Sequence, residues 1–167
     1  MTGETYVRRP EGKVINRGEP LIVTDKVLTA AAVAGSLMIA DGNDYKTKKS
    51  DGSRMPAGWL SFEHTDYKFR PTSLDSSFVA GDTVAVVAGG DFEVYAFISG
   101  SADEAVTVSI GTLLTDNGDG TLTIYNPNGT VESGTAKNPL PPVAIALESM
   151  TIAAGSPAVR IAVKSLI

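Results

Sequence analysis

The stretch that decides the fold is Ser109–Ile167, "SIGTLLTDNGDGTLTIYNPNGTVESGTAKNPLPPVAIALESMTIAAGSPAVRIAVKSLI". Short runs of Val, Ile, Leu and Thr alternate there with clusters of Gly, Asn, Asp and Pro, the grammar of strands joined by tight turns. Asn-Gly and Asp-Gly reach positive φ at little cost, so "NGDG" reads as the hairpin turn between "TLLTD" and "TLTIYN". Near the end, Val159, Ile161 and Val163 alternate with Arg160, Ala162 and Lys164. That period predicts a half-exposed strand with Arg160 and Lys164 turned outward.

The same grammar extends backward. "GDTVAVVAG" (81–89) and "DFEVYAFISG" (91–100) are separated by Gly89-Gly90-Asp91 and predict a hairpin. In the second run Phe92, Val94, Ala96 and Ile98 share one face and Glu93, Tyr95 and Phe97 the other, so both faces are expected to be partly buried, between subunits. "WLSFEH" (59–64) and "EPLIVTD" (19–25) read as strands. Between Val27 and Ala40 periodicity does not decide. Leu37 to Ala40 is taken as a strand, and a short helix between Thr29 and Ala34 stays open. Asp41 to Gly58 is rich in Gly, Asp, Lys and Ser and predicts a flexible surface loop near 41–58. Residues 1–18 carry charges without any period and are broken by Pro10, Gly12 and Gly18, which predicts an extended N-terminal arm. Gly18, Gly81 and Gly111 each precede a hydrophobic strand, but their spacings are unequal and make no repeat.

These elements predict an all-β, mainly antiparallel fold. It is a compact β-barrel or β-sandwich with an extended N-terminal arm (1–18), a single β-rich domain (19–167) and at most one short helix. A chain of 167 residues can bury a full core. Gly at 17 and Pro at 9 suit many short strands and turns. The net charge is −5 at pH 7. That balance speaks against a nucleic-acid or anionic membrane surface, which needs clustered Lys and Arg. Only Arg8-Arg9 and Lys46-Thr47-Lys48-Lys49 are such clusters, and they read as solvated loop charges. There is no cysteine, so disulfides, thiolate nucleophiles and Cys-type zinc sites are excluded. "MTGETYVRRPEG" has no apolar core of a secretory signal. Val27 to Ala40 is too short to span a bilayer.

The residues offer little catalytic chemistry. His64 is the single histidine, so a Ser-His-Asp triad or a His-metal site has to use it. It stands beside Glu63 and Asp66, and no G-x-S-x-G elbow accompanies it. "DNGDG" (Asp116 to Gly120) fails as a calcium loop: Gly118 takes the third position and Pro127 the twelfth. "ADGND" (40–44) fails likewise. Ala88 to Gly90 lacks any phosphate-loop pattern, and Asn128-Gly129-Thr130 is a formal glycosylation sequon that reads as a turn. Asp103-Glu104 lies in a polar loop. The chain is expected to have no enzyme activity, no catalytic residue, no metal and no cofactor.

In order, "KFRP" (68–71), "GDTVAVVAGG" (81–90), "VYAFISG" (94–100), "IGTLLTDNGDGTLTI" (110–124), "VAIALESM" (143–150) and "VRIAVKSLI" (159–167) resemble the capsid head-decoration, or cement, proteins of tailed phages and related archaeal viruses. The likeness covers Tyr67 to Ile167, and "MPAGWLSFEH" (55–64) extends it; Gly18 to Gly58 does not align. The resemblance implies a structural protein, made in the host cytoplasm and bound to the exterior of the virion capsid. Its partners would be a major capsid protein of the HK97 type and itself, as a homotrimer at threefold or quasi-threefold positions. For capsid or subunit contact the candidates are Tyr6, Val7, Arg8, Arg9 and Pro10, with the arginines meeting acidic residues and Tyr6 as the anchor. The alternatives are another virion β-protein, of the tail tube or fibre base, and a trimeric β-fold hydrolase or carbohydrate-binding module using His64.

Overall fold

The structure, a computed structural model, describes residues 12–127 and 141–167. The strands are β1 (Ile15–Gly18), β2 (Leu21–Leu28), β3 (Ala32–Val33), β4 (Leu37–Asp41), β5 (Asn43–Lys49), β6 (Gly58–Leu60), β7 (Ser77–Phe78) and β8 (Thr83–Ala88). They continue with β9 (Phe92–Ile98), β10 (Val106–Val108), β11 (Leu113–Asp116), β12 (Leu122–Ile124), β13 (Ala144–Ala146), β14 (Met150–Ile152) and β15 (Val159–Ser165). The one helical segment among the described residues is a 3-10 turn at Tyr67–Phe69, capped by the Asp66 carboxylate. The protein is all-β.

Two sheets dominate. Strands β2-β5-β4-β6-β8 form a closed barrel. The other sheet runs β1-β9-β12-β11-β13-β15 and is joined back on itself by β9 pairing with β15. Six residue pairs join β9 and β15, from Val159 opposite Ile98 to Lys164 opposite Glu93. The other edge of β9 carries β1, around Val94, and β12, at Ile98. One hydrophobic core serves both sheets: Leu37, Trp59 and Val87 of the barrel belong to the same cluster as Val94, Leu122 and Ile161. Each such side chain, fully buried, stabilises by about 1.5–3 kcal/mol. Polar stitches cross the seam. Trp59 Nε1 donates to Ser165 Oγ (2.9 Å), Leu37 N to Gly120 O (2.9 Å) and Gly89 N to Ile167 O (3.0 Å).

Several expectations are corrected. The 81–89 and 91–100 runs do not form a hairpin: β8 pairs with β2 and β6 in the barrel, and β9 enters the other sheet. Gly89 and Gly90, at φ 72° and 81°, let the chain cross between sheets. Both faces of β9 are largely covered within this chain, with Phe92, Val94, Tyr95, Ala96 and Ile98 nearly inaccessible and Glu93 and Phe97 half-buried. No helix forms between Thr29 and Ala34; Ala32 and Val33 pair with β7. The 41–58 segment is not all loop, because β5 pairs with β4 around the Asp41-Gly42-Asn43 turn. Its Lys-rich sequence hides a half-exposed strand in which Thr47 faces inward and donates to Ile39 O. The 59–64 strand stops at Leu60, after which Ser61 to Thr65 turn. The end of the expected arm is built into the fold, since Val14 is fully buried and Ile15–Gly18 pair with β9; residues 1–11 lie outside the described residues.

Arg160 is the largest departure. It points inward, 5% exposed. Its guanidinium donates to Ala34 O (2.7 Å), to Tyr95 O (3.1 Å) and to the Asp75 carboxylate (3.0 Å), and lies 4.2 Å from the Phe97 ring centroid. Gly35, at φ 89°, makes room: a Cβ there would stand 2.4 Å from Tyr95 O. Asp75 is 80% exposed, so the ion pair is screened by water, and the bonds to buried carbonyls carry most of the stabilisation. Arg160→Met is therefore expected to cost about 1–3 kcal/mol for each buried carbonyl that loses its bond to the guanidinium, and Asp75→Asn less than about 1 kcal/mol. Urea midpoints measure both; equal losses would show that the ion pair dominates.

Candidate functional site

Tyr6, Val7, Arg8, Arg9 and Pro10 lie outside the described residues, as does the sequon at Asn128. The other candidates are placed. His64 Nδ1 is 2.9 Å from Ser61 Oγ, a pairing that resembles the start of a triad. Ser61, however, is fully buried, which keeps its hydroxyl from a substrate. Glu63 and Asp66 supply no third member, because their carboxylates face elsewhere. Glu63 accepts from Val14 N (2.9 Å) and Ile15 N (2.7 Å), and Asp66 from Lys68 N (3.1 Å).

The Asp116–Gly120 turn closes the β11–β12 hairpin. Asp116 takes the Ser50 hydroxyl and Gly118 N, and Asp119 takes Thr121 N (3.0 Å) and its hydroxyl. These carboxylates hold the turn and its contact with the barrel. Among the described residues no three His, Asp or Glu side chains gather as a metal cage. Asp103 and Glu104 are exposed on a bend.

In the basic run, Lys48 sits between Asp41 (3.5 Å) and Asp51 (3.2 Å). The Thr29 hydroxyl, 2.6 Å away, lowers the Asp41 pKa, and Lys48 adds to the effect. Ser53, through its hydroxyl and its N–H, holds Asp51 well below the usual carboxylate range, helped by Lys48. Asp51 in turn raises Lys48. The charge of Lys48 is thus balanced locally.

What the sequence did not reveal is an open strand edge beside a groove. In β2, Leu21, Ile22 and Val23 pair with Ala88, Val87 and Val86 of β8. On the other side β2 meets β5 only at Val27 and Leu28. Among the described residues the stretch from Leu21 to Asp25 thus has one unpaired side, and its Leu21 (74%), Ile22 (43%) and Val23 (43%) are exposed. Natural sheets seldom leave an apolar edge bare, since it invites pairing with another chain. Next to it lies a groove of about 560 Å³. Ile15 to Pro20 line it without a break, and Lys13, Ile22, Glu63 and His64 complete it. The signal was present in "PLIV", which reads equally well as an inner strand; only the pairing of β5 elsewhere leaves it uncovered.

The chain matches no family model and no curated protein.

Glu63→Gln is expected to weaken the hold on Val14 and Ile15 and to cost about 1–3 kcal/mol. Faster amide exchange at those two residues, with exchange in β9 and β15 unchanged, is the measurement; unaltered exchange at Val14 contradicts it. The lowered carboxyls of Asp41 and Asp51 give a pH dependence. Their contribution is in place above the unfolded value of about 3.9 and is lost as pH falls through and below it. The thermal midpoint is expected to be level from about pH 8 to about pH 5 and to drop below about pH 4.

Proposed function

We propose that the protein is a structural, non-enzymatic component of a tailed-virus particle that binds the outer surface of an HK97-type capsid and stabilises it, as a homotrimer at threefold or quasi-threefold positions. The observation that carries the assembly reading is the apolar edge of β2, which no described strand covers from Leu21 to Asp25. A closed barrel and a sheet joined back on itself leave few strand edges, so an edge showing Leu21, Ile22 and Val23 is a place for another chain. The choice of a capsid as partner rests on the resemblance of the ordered strand phrases from Tyr67 to Ile167. Many copies on one lattice add up modest contacts into firm decoration.

Purified protein is expected to co-sediment with undecorated, expanded capsids and to run in solution at about 52 kDa, three times the 17.4 kDa chain. Electron microscopy of labelled particles places it: label on the capsid faces supports decoration, and label confined to the tail supports a tail or fibre-base component instead. Absence of capsid binding at every ionic strength overturns the proposal.

A further inference from the structure

The strand pairings contain a repeat. Strands β2 to β8 and strands β9 to β15 pair in one and the same way. β2 runs parallel to β5 and antiparallel to β8, as β9 does to β12 and β15. β4 lies between β5 and β6, as β11 does between β12 and β13. The pairs β6–β8 and β13–β15 close the two circuits, and the ribbons β3–β7 and β10–β14 correspond. Single hydrogen bonds fix the equivalent residues. Gly35 N donates to Leu60 O (2.7 Å) and Gly111 N to Ala146 O (2.8 Å). Ser50 N donates to Leu37 O (2.8 Å) and Tyr125 N to Leu113 O (2.9 Å). Thr29 N donates to Thr47 O and Ser99 N to Leu122 O, each at 2.9 Å. Gly35 and Gly111 share their φ as well, at 89° and 88°. The chain thus holds two tandem copies of one seven-strand unit.

The two units meet head to tail. The β11–β12 turn of the second unit sits on the first, where Gly120 O accepts from Leu37 N (2.9 Å) and Asp116 from the Ser50 hydroxyl. A twofold contact would set the β4–β5 turn on the second unit in return. Among the described residues it does not. Tyr45, the counterpart of Gly120, is 71% exposed. Ile110, Leu113 and Ile124, the counterparts of Ala34, Leu37 and Lys49, are exposed as well, whereas Ala34 and Leu37 are fully buried. A Cβ on Gly35 would strike Tyr95 O, and one on Gly111 meets nothing within 4 Å. The contact is therefore heterologous and used once, which leaves each of its two halves open on the other unit. The open face carries three large apolar side chains and the open turn an aromatic one, a pairing that suits burial. We infer that a second copy of this chain repeats the internal contact, its β4–β5 turn at Tyr45 seating on Ile110, Leu113 and Ile124. The inference deepens the self-association part of the reading above. A heterologous contact joins copies into a ring when the rotation closes, and three chains bring six units to it.

The absence of cysteine from the chain makes the test clean. A Cβ at position 120 would stand 3.1 Å from the Cβ of Lys49, so the counterparts 45 and 124 of neighbouring copies come within disulfide reach. Two single variants of the full chain, Tyr45→Cys and Ile124→Cys, are mixed at micromolar concentration, one carrying a size tag, and oxidised; Asp44→Cys replaces Tyr45→Cys to test register. A disulfide joining the two different variants, in preference to like pairs, is the expected result. No mixed disulfide with either position, or an excess of like pairs such as a twofold contact gives, overturns the inference. Leu113→Asp is expected to bring the solution mass down to that of a single 17.4 kDa chain with an unchanged far-ultraviolet spectrum; an unchanged assembly mass overturns it as well. Capsid binding without the mixed disulfide defeats this inference and leaves the capsid reading standing. The mixed disulfide without capsid binding does the reverse.

Discussion

The buried guanidinium of Arg160 is the constraint around which the rest of the structure is arranged. A charge taken out of water has to be met by hydrogen-bond acceptors on several sides. Here they come from distant parts of the chain: Ala34 from the link before β4, Tyr95 from β9 and Asp75 from the connector before β7. Phe97 covers one face of the group. The barrel and the β9–β15 sheet therefore sit where these acceptors converge. A hydrophobic residue in place of Arg160 could fill the volume but would leave those carbonyls without their donor. Gly35 belongs to the same device, because only a residue without Cβ allows Tyr95 O and the guanidinium so near.

The strand content was legible because it is written locally. "TLLTDNGDGTLTI" carries its own turn, and β11 and β12 pair through it, with Asp116 opposite Leu122. The pairing of strands remote in sequence was not legible. Gly89-Gly90 has the composition of a hairpin turn, yet it serves as a crossing between sheets, since β8 finds better partners in β2 and β6. The alternation in β15 was read correctly as a strand and correctly for Lys164, whose side chain is 45% exposed, and wrongly for Arg160. A polar residue at every second place looks outward by period alone, and only the three-dimensional position of Ala34 and Tyr95 shows that Arg160 faces in. In β5 the error ran the other way: lysines disguised a strand because its exposed positions, Tyr45 apart, are polar or charged.

For the surface, the sequence located candidates by chemistry and so drew attention to His64 and to the Asp-Gly turn. Their polar groups are occupied with holding the fold: His64 with Ser61, Asp116 with Ser50 and Gly118. The β2 edge has no chemical signature, because exposure of "LIV" depends on which strand lies beside it. β5 comes alongside only at Val27 and Leu28, beyond the register shift between Val23 and Lys26 in the pairing of β2 with β8. The open edge is thus produced by topology, and residue type alone does not announce it.

The pairing of β9 with β15 also governs when the protein becomes safe. Roughly sixty residues separate the two strands, several seconds of translation at about 5–20 residues per second. Throughout that interval β9 is an apolar ribbon without its principal neighbour, and the acceptors meant for Arg160 face an empty place. The barrel strands, all within residues 21–88, can pair early, but the second sheet waits for its last strand. A message broken before codon 159 would yield sticky, protease-sensitive chain and not a smaller working domain.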